Sequence, residues 1–106
     1  MKPTRICTFE HDGELLAIVE ARYADDNTAI LIEVAETNEP YATLSVNIPD
    51  APLPNNDYFY VNTWSENAMI ADAVRALPIF TNTGVKVPTG FVSAEVWRFT
   101  ESLAPY

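Results

Sequence analysis

The residues with most chemical capacity in this chain are one histidine, one cysteine and fifteen acids. His11 stands between Glu10 and Asp12, a trio that could do general acid–base work if the side chains converged. Adjacent strand positions point to opposite faces and Gly13 marks a turn, so His11 reads as a solvated turn histidine. Cys7 has no histidine near it in sequence to activate it and reads as a small core residue. Asp25-Asp26-Asn27 and Glu33, Glu36 and Glu39 carry oxygen ligands suited to calcium, but the twelve-residue loop with its Asp/Asn repeat and glycine is missing. Paired carboxylates could cleave a glycosidic bond, yet the spacing of these acids is what solvated β faces produce. The three glycines fall at turns and form no phosphate-cradling loop. The residues thus nominate no catalytic group, cofactor or metal, and the expectation is a protein that is not an enzyme.

The acids are distributed unevenly. The first 57 residues hold eleven (Glu10, Asp12, Glu14, Glu20, Asp25, Asp26, Glu33, Glu36, Glu39, Asp50, Asp57) against Lys2, Arg5 and Arg22. Those residues therefore carry −8 of the net charge of −9. The acids are interleaved with apolar residues, so folding displays them on a surface. Such a surface repels nucleic acid and membrane and attracts basic proteins. With six basic residues in all, direct binding to nucleic-acid phosphates is not expected. Same-face strand neighbours lie about 6.6 Å apart, close to the phosphate spacing of a nucleic-acid strand. A row built from Glu10, Asp12, Glu14, Glu20, Glu33 and Glu36 could fill a Lys/Arg-lined groove. Solubility is the plainer explanation of the same charge.

A length of 106 residues implies a single domain, residues 1–106, burying roughly 65% of its unfolded surface. An apolar fraction of 48% is too high for disorder. The longest apolar run, residues 15–19, is too short to span a membrane. No hydrophobic stretch of signal-peptide length follows the N-terminus, and a lone cysteine cannot form an internal disulfide, so a cytoplasmic location is expected.

Period-two alternation predicts strands over residues 4–9, 14–23, 28–36 and 41–48, joined by short turns into an antiparallel meander. Pro49, Pro52 and Pro54 predict an irregular surface connection, and residues 58–62 a fifth strand. A helix over about residues 64–77 is expected, with Thr63 and Glu66 as a capping box and Ile70, Ala73, Val74 and Leu77 as its buried stripe. Residues 81–84 and 88–90 read as turns, residues 85–87 as a short strand and residues 91–99 as a longer one. The expected fold is α+β: one curved antiparallel sheet of five to six strands with a single helix on one face. In the last strand, a core made by Val92, Ala94 and Val96 would leave Phe91, Trp97 and Phe99 outward. Exposed aromatics beside charge suit a protein interface. The alternative is a sheet covered on both faces by the helix and residues 103–106.

Three segments carry a resemblance: residues 39–49 (EPYATLSVNIP), residues 64–67 (WSEN), and Thr83-Gly84 followed by residues 87–92 (VPTGFV). Together, over roughly residues 3–99, they resemble a family of small proteins of unknown function carried by phages, plasmids and conjugative elements. The resemblance implies a mobile-element context, in which small acidic proteins are often inhibitors of host defence, including anti-CRISPR proteins and DNA mimics. It supplies no catalytic residue. The combined expectation is a cytoplasmic acidic protein, monomer or homodimer, that blocks a basic nucleic-acid-handling host protein such as a CRISPR effector. Its contact residues would be Glu10, Asp12, Glu14, Glu20, Asp25, Asp26, Glu33 and Glu36, with Trp97 as an aromatic anchor. The competing expectation is a structural or accessory module that dimerises through the last strand.

Overall fold

The alternating first third of the chain folds into the expected meander. In the computed structural model, which describes residues 3–100, strands β1 (Thr4–His11), β2 (Glu14–Arg22), β3 (Thr28–Val34) and β4 (Pro40–Thr43) form one antiparallel sheet in sequential order. Asp12 and Gly13 both have positive φ, 52° and 78°, the backbone a tight two-residue hairpin demands. Asp26 and Asn38 take the left-handed conformation in the next two turns, as their short polar side chains allow. Phe9, Leu16, Ile18, Ile30 and Ile32 share the inward face, consistent with the pairing of Phe9 with Leu16 and of Ile18 with Ile32.

The expected fourth strand, residues 41–48, divides. Its first part is β4. Its second, β5 (Ser45–Val46), pairs with β6 (Tyr58–Val61) in another sheet. The junction is held from both sides. Leu44 N–H donates to Ile30 O at 2.9 Å, and Ile30 N–H donates to Ser45 Oγ at 2.8 Å. Asn62 N–H then donates to Leu44 O at 2.8 Å, which brings in the second sheet. The single curved sheet expected from the sequence is thus two open four-stranded sheets, the second ordered β5-β6-β8-β7. Alternation could not reveal the switch, because residues 42, 44, 46 and 48 are apolar whichever core they enter.

Strand β6 leads through helix α1 (Asn67–Arg75) to β7 (Phe80–Thr89), and β8 (Val92–Phe99) lies between β6 and β7. The helix has the expected face, with Ile70, Ala71 and Val74 buried and Ala73 and Leu77 partly so. Its start differs from expectation. Glu66, not Thr63, is the N-cap and makes no side-chain capping bond, because Ser65 turns the chain at φ 53°. The turn expected at residues 81–84 is an irregularity inside β7. The ladder with β8 shifts between Asn82 and Lys86, Gly84 adopts φ 85°, and Thr83 Oγ1 donates to Val96 O at 2.7 Å.

Both faces of the second sheet are buried. Phe59, Val61, Phe80, Trp97 and Phe99 join the inward face of the meander and the helix in one core. Phe59 meets Phe80 edge-on at 5.0 Å between centroids, the geometry aromatic quadrupoles favour. On the reverse face, Tyr60, Ala94 and Val96 pack beneath Ile48, Ala51 and Leu53 of the proline-rich connection. Tyr60 Oη secures that connection by donating to Ala51 O at 2.6 Å. The last strand therefore alternates as expected, but the face read as outward is the main core. Trp97 is 1% and Phe99 3% exposed, whereas Phe91, at the hairpin tip, is fully exposed. The proposed cover of residues 103–106 lies outside the described residues.

Ser45→Ala should lower unfolding free energy by about 1–3 kcal/mol, because it strands the buried Ile30 N–H. Urea unfolding of the variant checks this, and a change below about 0.5 kcal/mol, the size of an ordinary surface substitution, would show that the Ser45 bridge does not hold the junction.

Candidate functional site

Meander topology decides where the acids go. Strands β1 to β4 alternate in direction, so the β1–β2 and β3–β4 turns lie at one end of the sheet and the β2–β3 turn at the other. Glu10, Asp12 and Glu14 flank the first of these turns, and Glu33, Glu36 and Glu39 the third. The two turns are tied together by Ala35 N–H donating to Leu15 O at 3.0 Å. Six carboxylates therefore share one end, all exposed except Glu33, which is partly covered. The base bonded there is Arg5, whose guanidinium donates to Ala35 O and Asn38 Oδ1, both at 2.9 Å. Among the described residues, no group of three or more His, Cys, Asp or Glu could hold a metal ion.

The acids do not form a single row on one face. Glu10 pairs with Leu15 and Glu33 with Ala17 on the outward face, whereas Glu14 and Glu20 have the parity of the inward Leu16 and Ile18. Glu20 is drawn inward: its side chain is 13% exposed and lies 3.3 Å from Arg22. Arg22 also bonds Thr28 Oγ1, which donates to Asn56 O at 2.7 Å. Asp25 and Asp26 stand at the far end. Asn47 Nδ2 and Asn27 N–H donate to the Asp25 carboxylate and hold its pKa below the ordinary value. Of the eight expected contact acids, the fold gathers Glu10, Asp12, Glu14, Glu33 and Glu36 and separates Glu20, Asp25 and Asp26.

Trp97 is a correction. Its indole is buried, its Nε1 donates to Glu95 Oε1 at 3.0 Å, and the Arg75 guanidinium stacks over its ring at 5.5 Å. It anchors the core and is unavailable to a partner. His11 is likewise not a freely solvated turn residue, since its side chain is 14% exposed with Nε2 3.7 Å from Asp12 Oδ2. Cys7 is half-buried with its thiol pKa pushed up by burial, which disfavours the reactive thiolate. The last strand offers no free edge for pairing with a second copy, because β6 and β7 occupy both edges of β8.

Sequence reasoning missed Glu95. It shares the inward face of β8 with Trp97 and Phe99, and receives hydrogen bonds from Trp97, from Arg75 at 2.8 Å and from Asn82 at 3.3 Å. Burial pushes its pKa up. The Trp97 and Arg75 hydrogen bonds with the Arg75 and Lys86 charges outweigh this and hold it below the ordinary carboxylate value. The signal in sequence was a carboxylate at the same parity as two aromatics, which agrees equally well with an outward face.

No family model, curated protein or solved structure matches this chain.

A carboxyl whose folded pKa lies below its unfolded value stabilises above the unfolded pKa, and that stability is lost as pH falls through the folded pKa. The melting-temperature gap between the native chain and Glu95→Gln should therefore be widest near neutrality and shrink as pH is lowered below about 4. A gap constant from pH 7 to pH 3 would show that ionisation of Glu95 contributes nothing.

Proposed function

We propose that the protein is a non-enzymatic interaction module whose acidic end binds a basic, nucleic-acid-handling protein and competes with nucleic acid for its site. The observation that carries this reading is the convergence of six carboxylates from two turns on one end of the meander, while Glu20 and Glu95 are paired with arginines within the fold. A surface assembled for solubility needs charge but no such convergence. Carboxylates on neighbouring strands, about 4.8 Å apart, present a dense negative field that a Lys/Arg-lined groove would meet with release of its counterions. The mobile-element resemblance makes a host defence component such as a CRISPR effector the natural target, with the protein acting as a DNA mimic in the host cytoplasm. Among the described residues no helix is long and apolar enough to cross a membrane.

A second reading has its own observation. The β7–β8 hairpin exposes Val85 at 53% and Phe91 completely, and among the described residues β7 has one edge unpaired. A homo-oligomeric accessory module would use that hairpin and that edge, not the last strand.

Pull-down of tagged protein from host lysate at about 50 mM and about 500 mM salt separates the two, since exposed charge pairs are screened within about 8 Å at physiological ionic strength. The first reading predicts a nucleic-acid-binding complex retained at low salt and weakened at high salt. Capture unchanged by salt contradicts charge mimicry, and a light-scattering mass of two chains with nothing captured favours the second.

A further inference from the structure

A groove runs between the β1–β2 turn, β4 and the first turn of α1. Ala42 and Ile70 give it an apolar lining, and Tyr41 and Met69 stand exposed along it at 39% and 67%. Asp12 and Glu66 bring carboxylates to the same groove, both on exposed residues. Asn67 Nδ2 donates to Thr43 O at 2.6 Å and so pins the start of the helix to β4. Among the described residues no lysine or arginine lines the groove, although His11 does, with its Nε2 3.7 Å from Asp12 Oδ2, and Asp12 belongs both to the groove and to the acidic end.

We propose that this groove receives an arginine side chain of the protein partner. The proposal rests on the reading that the acidic end binds a basic protein, and it names where the first contact is made. The groove's chemistry selects the occupant. Two exposed carboxylates, of which only Asp12 has a basic neighbour in the groove, the His11 imidazole 3.7 Å away, call for a cation. An exposed tyrosine ring and a thioether beside them call for a flat cation on an aliphatic stem. Guanidinium stacks on an aromatic face and gives a carboxylate two parallel N–H bonds, which ammonium cannot do. The stem would lie along Met69 and Ile70 with the head held at Asp12 or Glu66. The positive end of the helix dipole would oppose a cation, but Glu66 at the N-cap sits on that end and offsets it. Because Asp12 is shared, a segment seated here would carry its next basic residues over Glu10 and Glu14.

The test is an amide-resolved NMR titration of the full chain at about 50 mM salt with the peptide acetyl-Arg-Gly-Arg-Gly-Arg-amide. Counterparts containing lysine and uncharged citrulline serve as controls. Saturable shifts should concentrate at Asp12, Tyr41 and residues 66–70, with weaker binding of the lysine peptide and none of the citrulline peptide. Asp12→Asn with Glu66→Gln should weaken binding roughly three- to tenfold, the range two exposed ion pairs supply. Tyr41→Ala should erase the preference for arginine over lysine while the spectrum keeps its folded dispersion. Shifts confined to Glu33, Glu36 and Glu39 would overturn the groove and leave the acidic end standing. An absence of shifts anywhere would overturn both. Groove shifts that appear on concentrating the protein without peptide would make the occupant a second copy, and would overturn the arginine assignment.

Discussion

The backbone of Ile30 holds the structure's decisive junction. Its N–H and C=O are bonded to Ser45 Oγ and Leu44 N–H at the point where the chain leaves one sheet for the other. Buried peptide groups must be paired, so a strand that departs from a ladder needs a substitute for each bond it abandons. A serine hydroxyl supplies the missing acceptor, and Tyr23 Oη, 2.8 Å from the same oxygen, joins the arrangement. With that exit secured, the meander ends at β4, its inward face meets the aromatic face of the second sheet, and α1 completes the core. Had the strand continued, residues 46 and 48 would have extended the first sheet, and the second would have lacked its β5 edge.

The junction also shapes the charged surface. A four-stranded meander has two turns at one end and one at the other, and this chain carries six of its fifteen acids near the pair. The result is an acidic end where the sequence had suggested an acidic face. The groove beside it exists because the helix returns to the same end and is tied to β4 through Asn67. The meander therefore supplies the negative field, and β4 together with the helical crossover of the other sheet supplies the apolar lining.

Much of this was legible in the sequence. The strands of the meander, the Asp12-Gly13 hairpin, the existence of the helix and its buried stripe follow from periodicity and turn chemistry. The switch at Leu44 did not, because alternation continues unbroken from Ala42 to Ile48 while the core it points into changes. The burial of Trp97 and Phe99 was hidden for a related reason: a strand covered on both faces is apolar at both parities, and Glu95 among the inward residues imitates a wet face. The helix start was misplaced because the Thr63/Glu66 spacing satisfies a capping box, while Ser65 at positive φ begins the helix later. Glu20 looked like surface because only the fold brings Arg22, Thr28 and the Asn56 carbonyl together beside it.

The most direct test of the central claim separates gathered charge from net charge. Association of the full chain with poly-L-arginine at about 50 mM salt would be compared for Glu33→Gln/Glu36→Gln, at the acidic end, and Asp25→Asn/Asp26→Asn, at the opposite end. Each pair removes two charges and leaves the core untouched. The first pair should slow association several-fold more than the second, since steering depends on where charge is concentrated. Equal slowing by the two pairs would contradict it and leave the acids as a solubility device without a site.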